Sequence, residues 1–422
     1  MRVFTVLGPS QSGKSTLVDG LTHLQSQLPT TLDVRYTARV TTFGVMGDDW
    51  TAIDIAGGAD NLAPAGPALA ASDAAVLCVP ADAEAAVLAA PYFRLIEEAG
   101  IPCFLFINRV DAASDRVSEI VAALQVYCRH GIILRQVPLR KQGEIVGAVD
   151  LISERAWQYR EGKPSALVEL PDDMLPREQE ARTELLESLA DFDDALLEQL
   201  IEDQQPLAQA VYDVASRVLQ RHDLVPALLG SAEHRNGMLR LMKSLRHEAP
   251  DHTVARDRLA GAGAPVAVAA VGDHVKHLGK TMVVRAFGDG VANGKKLAGE
   301  AVGSITAIDA RTPMPALEPG DIGLTVKTDH LDIGAFYETR RAAPLPDWAT
   351  AHPPSHRRII KPVRERDEAR LSTALERLTE IDAGIAVEQE GQTGHSAICA
   401  QGPLHFRHVL ARLSDAFGID VE

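Results

Sequence analysis

Four cysteines in 422 residues are too few and too scattered to staple this chain. Cys78, Cys103, Cys128 and Cys399 show no paired spacing, and the first two lie in apolar runs. This excludes a disulfide framework and a zinc ribbon, and predicts buried free thiols in a reducing compartment. No apolar run approaches the roughly 20 residues of a membrane-crossing helix, so no membrane partner is expected. Basic residues are outnumbered, 42 Lys and Arg against 58 Asp and Glu, for a net charge of −16. That balance argues against a general nucleic-acid coat and against DNA as a partner. It leaves RNA contact to local basic patches. Internal repeats and low-complexity tracts are absent. An apolar run begins at the N-terminus and leaves no room for a signal peptide, which predicts a cytoplasmic protein.

What is present is a soluble globular composition, 46% apolar and 24% charged, in a chain long enough for about two to four domains. The most informative stretch is LGPSQSGKSTL, residues 7–17. Gly8-x-x-x-x-Gly13-Lys14-Ser15 is a complete P-loop pattern. Its glycines let backbone N–H groups curl around an anion, the lysine brings a point charge to the β/γ-phosphates, and the serine hydroxyl is placed to ligate Mg²⁺. Gln11, Ser12 and Thr16 belong to the same candidate phosphate-binding set. The apolar run Met1–Leu7 predicts a buried strand before the loop. Leu17, Val18, Leu21, Leu24 and Leu28 predict a helix over 15–28 after it. Strand, glycine loop and helix is the order that turns a helix N-terminus toward phosphate.

The base is read further along. Thr51-Ala-Ile-Asp54 places a carboxylate at a strand end, suited to holding Mg²⁺ with Ser15, and Gly57 follows where an N–H can meet a γ-phosphate. The strand Pro102–Ile107 ends in Asn108-Arg109-Val110-Asp111. This has the N-K-x-D form of guanine readers, with Arg109 in the lysine slot. A carboxylate at Asp111 accepts from guanine N1–H and the 2-amino group, a donor pair that adenine lacks. The strand 225–230 ends in Ser231-Ala232, where a backbone N–H can meet guanine O6. All these pieces fall at the carboxyl ends of predicted strands, the edge where parallel α/β sheets bind ligands. GTP or GDP with Mg²⁺ is therefore the expected cofactor. A metabolic P-loop kinase explains neither the guanine-reading tetrapeptide nor the β-rich region that follows.

In order and spacing these motifs resemble the translational GTPases, most closely elongation factor G and its paralogues. The segment 135–152 is similar to the opening of that family's extra subdomain, and Ala190–Glu198 to its acidic helical part. After a polar connector (HEAPDHTVARDRLAGAGAP), short β-rich runs from 266 to 337 resemble its domain II. LSTALERLTEIDAGIAVEQEGQTGHSAICAQGPLHFRHVLARLSDAFGIDVE looks like its domain III, with Pro403 in place of a glutamate. The expected fold is thus multidomain: an α/β P-loop GTPase domain over 1–250 with an inserted α+β subdomain at about 135–222, a β-barrel over 262–343, a proline-rich linker over 344–368, and a small ferredoxin-like α+β domain over 369–422. In that last unit the pattern reads helix 371–380, strand 384–389, tight turn, strand 395–400, helix 403–416 and short strand 418–422. The resemblance implies a monomer whose partner is the ribosome, rRNA and ribosomal proteins together, with Arg357, Arg358, Lys361, Arg364 and Arg366 either on rRNA or on a solvated hinge or edge strand. Two further domains follow in the family, so the resemblance implies either a fragment cut after domain III or a protein that never had the translocating arm.

Three departures from the family bear on catalysis. Asp54-Ile-Ala-Gly57-Gly58 stands where the family has Asp-Thr-Pro-Gly-His, so the water-orienting histidine is replaced by Gly58. The Arg-Gly-Ile-Thr element of switch I is missing; Arg35 falls near the slot of its Mg²⁺-binding threonine, with Thr37 as a possible stand-in. Gln11 replaces the usual aspartate. The expectation is a protein that binds GTP better than it hydrolyses it, the alternative being a hydrolysis-deficient regulatory paralogue.

Overall fold

The computed structural model describes residues 1–422 except 25–27, 142, 261–262, 276 and 392–393. Parts of five expectations lie outside the described residues: the end of the helix over 15–28, part of the 135–152 segment, part of the 247–265 connector, residues 262 and 276 of the β-barrel over 262–343, and the tight turn before residue 395.

The first unit is an eight-stranded sheet with Arg2–Leu7 at its middle. This strand is parallel to Asp48–Ile55 on one side and to Ala74–Pro80 on the other. Cys103–Asn108, Leu224–Gly230 and Gly131–Leu134 continue the parallel order. Thr30–Val34 and Ala38–Val45 add an antiparallel hairpin at the opposite edge. The central strands are apolar throughout because helices cover both faces. One face buries Phe4, Phe43 and Trp50, whose rings meet edge-on with centroids 6.5 and 6.2 Å apart. The helix after the glycine loop spans Lys14–Thr22, shorter than its leucine spacing predicts.

The inserted subdomain is a four-stranded antiparallel sheet over Gln136–Val168, covered by the helices Leu175–Ala190, Asp194–Ile201 and Ala208–Gln220. It is fastened to the first unit by buried charge. Arg135 gives two hydrogen bonds to Glu248, at 2.7 and 3.2 Å, and Arg240 meets Asp150 at 2.7 Å.

The next unit is an antiparallel seven-stranded sheet with two short ribbons, built on Ala267–Val275 and Gly279–Ala286. The last is a three-stranded sheet with the helices Glu368–Ile381 and Pro403–Phe417. Its helices cover within a few residues the ranges their leucine periodicity predicts. The tail expected as strand 418–422 pairs with 361–363 through the bridge Pro362–Val421 and the backbone bonds joining Lys361 to Glu422 and Val363 to Asp420, without extending into a longer strand. The stretch 344–368 differs more from its expectation as a linker. It carries the short helix Asp347–Ala349 and the strand His356–Ile359, which pairs with Ser396–Ala400. Three of that strand's four residues are exposed, so it shows no apolar alternation. Backbone pairing alone places it, and with it Arg357 and Arg358, at the sheet edge.

All four cysteines are buried and free. Among the described residues no helix is long and apolar enough to cross a membrane.

Candidate functional site

The carboxyl edge of the central strands gathers the predicted segments because each follows a strand of the same parallel ladder. Register sets Val6 beside Asp54, and Asn108 between Pro80 and Gly230. The loops after these strands therefore open on one rim.

Asn108 joins three of them. Its Nδ2 donates to the Ser12 carbonyl at 2.8 Å, and its Oδ1 accepts from Ala232 N–H at 2.8 Å and Arg109 N–H at 2.9 Å. Buried at 1% exposure, it locks the glycine loop to both base-side loops. Gly13 is required here: its φ is +91°, and a Cβ would stand 2.2 Å from Asn108 Nδ2. Gln11 and Arg109 hold left-handed backbone, at φ 64° and 63°. In the same loop the Gly8 carbonyl accepts from Lys14 Nζ at 3.0 Å, as does the Pro9 carbonyl. Burial pulls the Lys14 ammonium below its ordinary pKa, and the Asp54 charge opposes that pull.

Ser15 Oγ donates to Asp54 Oδ2 at 2.6 Å, which brings the two candidate Mg²⁺ ligands together. Burial pushes the Asp54 carboxyl up; the Ser15 hydrogen bond and the Lys14 charge draw it back. Asp54 Oδ1 is buried without a hydrogen-bond partner among the described residues. An orphaned carboxylate oxygen beside a serine hydroxyl fits a hard cation that takes its other ligands from phosphate and water. No cluster of three or more His, Cys, Asp or Glu suited to a metal occurs among the described residues. Thr16 is exposed on the first helical turn.

Asp111 lies in a short helical turn over Val110–Ala112, about one-third exposed, with His234 Nε2 at 3.4 Å. Ser231 pairs with Asn236 across the turn that follows Leu224–Gly230, and its hydroxyl is buried without a partner among the described residues. Of the turn expected to bring a backbone N–H to guanine O6, the Ala232 N–H is engaged by Asn108 Oδ1.

Beyond Asp54 the chain is held from unexpected directions. The Gly57 carbonyl accepts from Asn61 Nδ2 at 3.0 Å, and Gly58 N–H donates to the Tyr92 hydroxyl at 3.0 Å. Gly58 has φ +116°, and a Cβ there would lie 3.1 Å from Leu404 Cδ2 of the last unit. Asp60 Oδ2 accepts Leu404 N–H at 2.9 Å, at the start of the helix Pro403–Phe417. That helix also reaches the switch I slots. Arg412 donates to Thr37 Oγ1 at 3.3 Å, and Arg35 and Tyr36 OH donate to Asp415 at 3.3 and 3.1 Å. Tyr92, His234 and Asp60 are contributors that sequence reasoning missed. His234 stands two residues after Ser231-Ala232 and was findable by proximity; Tyr92 carries no motif signal at all.

Comparison with known proteins bears on this arrangement. A model described as the elongation factor Tu GTP binding domain matches residues 34–251, and one for elongation factor G, domain III, matches 352–422. The first match begins after the glycine loop. An elongation factor G-like protein of Synechocystis sp. is 32% identical over 351 residues, covering 82% of this chain and 52% of that one. Elongation factor G of Thermotoga neapolitana is 24% identical over 393 residues, covering 87% and 56%. The chain thus spans about half the length of the curated relatives it matches. A crystal structure from Thermus thermophilus superposes with a TM-score of 0.85 over 100% of this chain and 67% of that one, at 23% identity, a likeness of fold. With half the chain matched by the GTP-binding model and its end by the domain III model, the chain belongs to the elongation factor G-like translational GTPases.

Proposed function

We propose that this edge binds GTP and GDP with Mg²⁺, and that the chain serves an elongation factor G-like translation factor acting on the ribosome in the cytoplasm, with weak or atypical hydrolysis. The observation that carries the reading is Asn108, whose hydrogen bonds tie the glycine loop to both base-side loops. In this reading the backbone of residues 8–15 and Lys14 meet the phosphates. Ser15 and Asp54 hold Mg²⁺, which when bound neutralises phosphate charge. Asp111 reads guanine, with the Ser231-Ala232 turn beside it. Ribosomal partnership rests on the resemblance to the relatives. Titration with fluorescent GDP and ADP analogues tests the nucleotide: GDP should bind at least a hundredfold more tightly, and equal affinity or no binding of either sinks the guanine reading.

A second reading is favoured by Gly58: a regulatory paralogue that binds guanine nucleotide or the ribosome without driving translocation. Glycine has no side chain to orient a water, and positioning supplies much of phosphoryl-transfer catalysis. Ribosome-stimulated phosphate release by the chain removes this second reading if it is seen. Restoring the family residue should fail. Gly58→His puts a side chain at φ +116° and against Leu404, a backbone cost of about 1–3 kcal/mol. The variant should show a lower urea midpoint and no gain in phosphate release; a gain without loss of stability contradicts the geometry.

A further inference from the structure

A second cavity, of about 390 Å³, lies between the inserted subdomain and the helix Met238–Glu248. That size falls within the roughly 300–1,000 Å³ of small-molecule pockets. Trp157 and Tyr212 contribute aromatic walls from the inserted subdomain, while Lys243 and Ser244 rise from the helix beneath.

Its polar groups are incompletely matched. Ser244 is 2% exposed, and its hydroxyl has no hydrogen-bond partner among the described residues. Arg240 uses Nε toward Asp150 at 2.7 Å and Nη1 toward the Tyr212 hydroxyl at 3.1 Å, while its Nη2 is buried and unpartnered among the described residues. Buried donors in that state are unfavourable until something accepts from them.

The charge is unbalanced in the same direction. Arg155, Arg235 and Lys243 line the cavity, and none has an ion-pair partner among the described residues. Of the two lining carboxylates, Glu248 is held by Arg135 and Asp213 accepts from Gln209 at 2.9 Å. Lys243 Nζ lies 5.5 Å from the Trp157 ring centroid, and Arg240 Cζ 5.7 Å from that of Tyr212. Each ring thus carries a cation over it, Tyr212 also having Arg135 Cζ 5.8 Å from its centroid, so aromatic rings and surplus cations line the cavity together.

We propose that this cavity binds a small aromatic anion, a planar ring carrying phosphate or carboxylate. The ring lies against Trp157 and Tyr212. The anionic group meets Lys243, Arg235 and Arg155, and accepts from Ser244 Oγ and Arg240 Nη2. The site is distinct from the glycine-loop edge, although Arg235 belongs to the turn that begins at Ser231. The glycine-loop edge must therefore be filled before the cavity is probed.

The test uses the whole chain in saturating GDP and Mg²⁺, titrated calorimetrically with AMP and, separately, with 4-hydroxybenzoate, with adenosine and inorganic phosphate as half-ligand controls. The expected result is saturable binding of at least one aromatic anion at millimolar concentration or below. Adenosine or phosphate alone should bind at least tenfold more weakly, and Trp157 fluorescence should respond. AMP binding assigns the anion as phosphate, and 4-hydroxybenzoate binding as carboxylate. Lys243→Glu should weaken binding at least tenfold. Arg235→Glu, at an exposed position, does the same should the first variant fail to fold. Absence of binding by both probes, or binding of equal strength in the folded charge-reversal variants, overturns the proposal.

Discussion

Truncating Asp73 to alanine should destabilise the junction between the first unit and the antiparallel sheet by about 3–5 kcal/mol, the range for removing one partner of a buried ion pair. Asp73 sits at 1% exposure. One carboxylate oxygen accepts the Val3 N–H at 2.8 Å, and the two oxygens face Arg285 Nη2 at 3.2 and 3.3 Å. Arg285 is at 0% exposure, and its Nε and Nη1 have no hydrogen-bond partner among the described residues. Burial pulls the guanidinium below its ordinary pKa, and the Asp73 charge opposes that pull. Without Asp73 the cation stays buried without its hydrogen-bonded carboxylate, Asp321 being the remaining acidic charge acting on it, and the central strand loses a backbone partner as well. Urea unfolding of the variant should show the transition that opens this junction at a much lower midpoint. Pairing Asp73→Asn with Arg285→Met should recover much of the loss, because an apolar replacement carries no buried charge. A midpoint unchanged in Asp73→Ala contradicts the role given to the pair.

The second large effect concerns the base. Asp111→Asn should weaken GDP binding on the order of 10²- to 10⁴-fold, since two charge-assisted hydrogen bonds of about 1.5–3 kcal/mol each are lost. The same substitution should strengthen binding of xanthosine diphosphate, whose C2 carbonyl accepts from the new amide. Competition between the two nucleotides on the variant reads both changes at once. His234, 3.4 Å from Asp111, supplies the control. His234→Ala removes a neighbour of the carboxylate without removing its acceptors, so the preference for guanine over xanthine should persist. An Asp111→Asn protein that still prefers GDP by the original margin contradicts the assignment.

Much of this site was legible before any coordinate because its parts are local. A strand, a glycine loop and a helix are adjacent in the chain, and apolar periodicity marks each within a few residues. Asn108-Arg109-Val110-Asp111 is contiguous, and a parallel sheet brings every strand's carboxyl end to one edge. Within 344–368, where a solvated hinge and an edge strand were both expected readings for the basic residues, the strand was less legible for the opposite reason. His356–Ile359 is a strand through pairing with Ser396–Ala400, and its exposed side chains carry no periodic signal.

Sequence by itself determined the glycine loop, the order of segments along the candidate edge, the family, and the loss of a histidine at Gly58. Tertiary structure alone decided what surrounds them. It set Asp73 against Arg285, two hundred and twelve residues away, and laid the helix Pro403–Phe417 over Asp60 and Thr37. It also enclosed a cationic, aromatic cavity beside the helix Met238–Glu248. Local motifs are set by backbone propensity and neighbouring side chains, which the chain order contains. Buried pairs and cavities depend on which distant surfaces exclude water together, and only the packed chain specifies that. Gly58 belongs to both accounts: sequence removed the histidine, and the fold left its position at a φ and a distance from Leu404 that suit glycine.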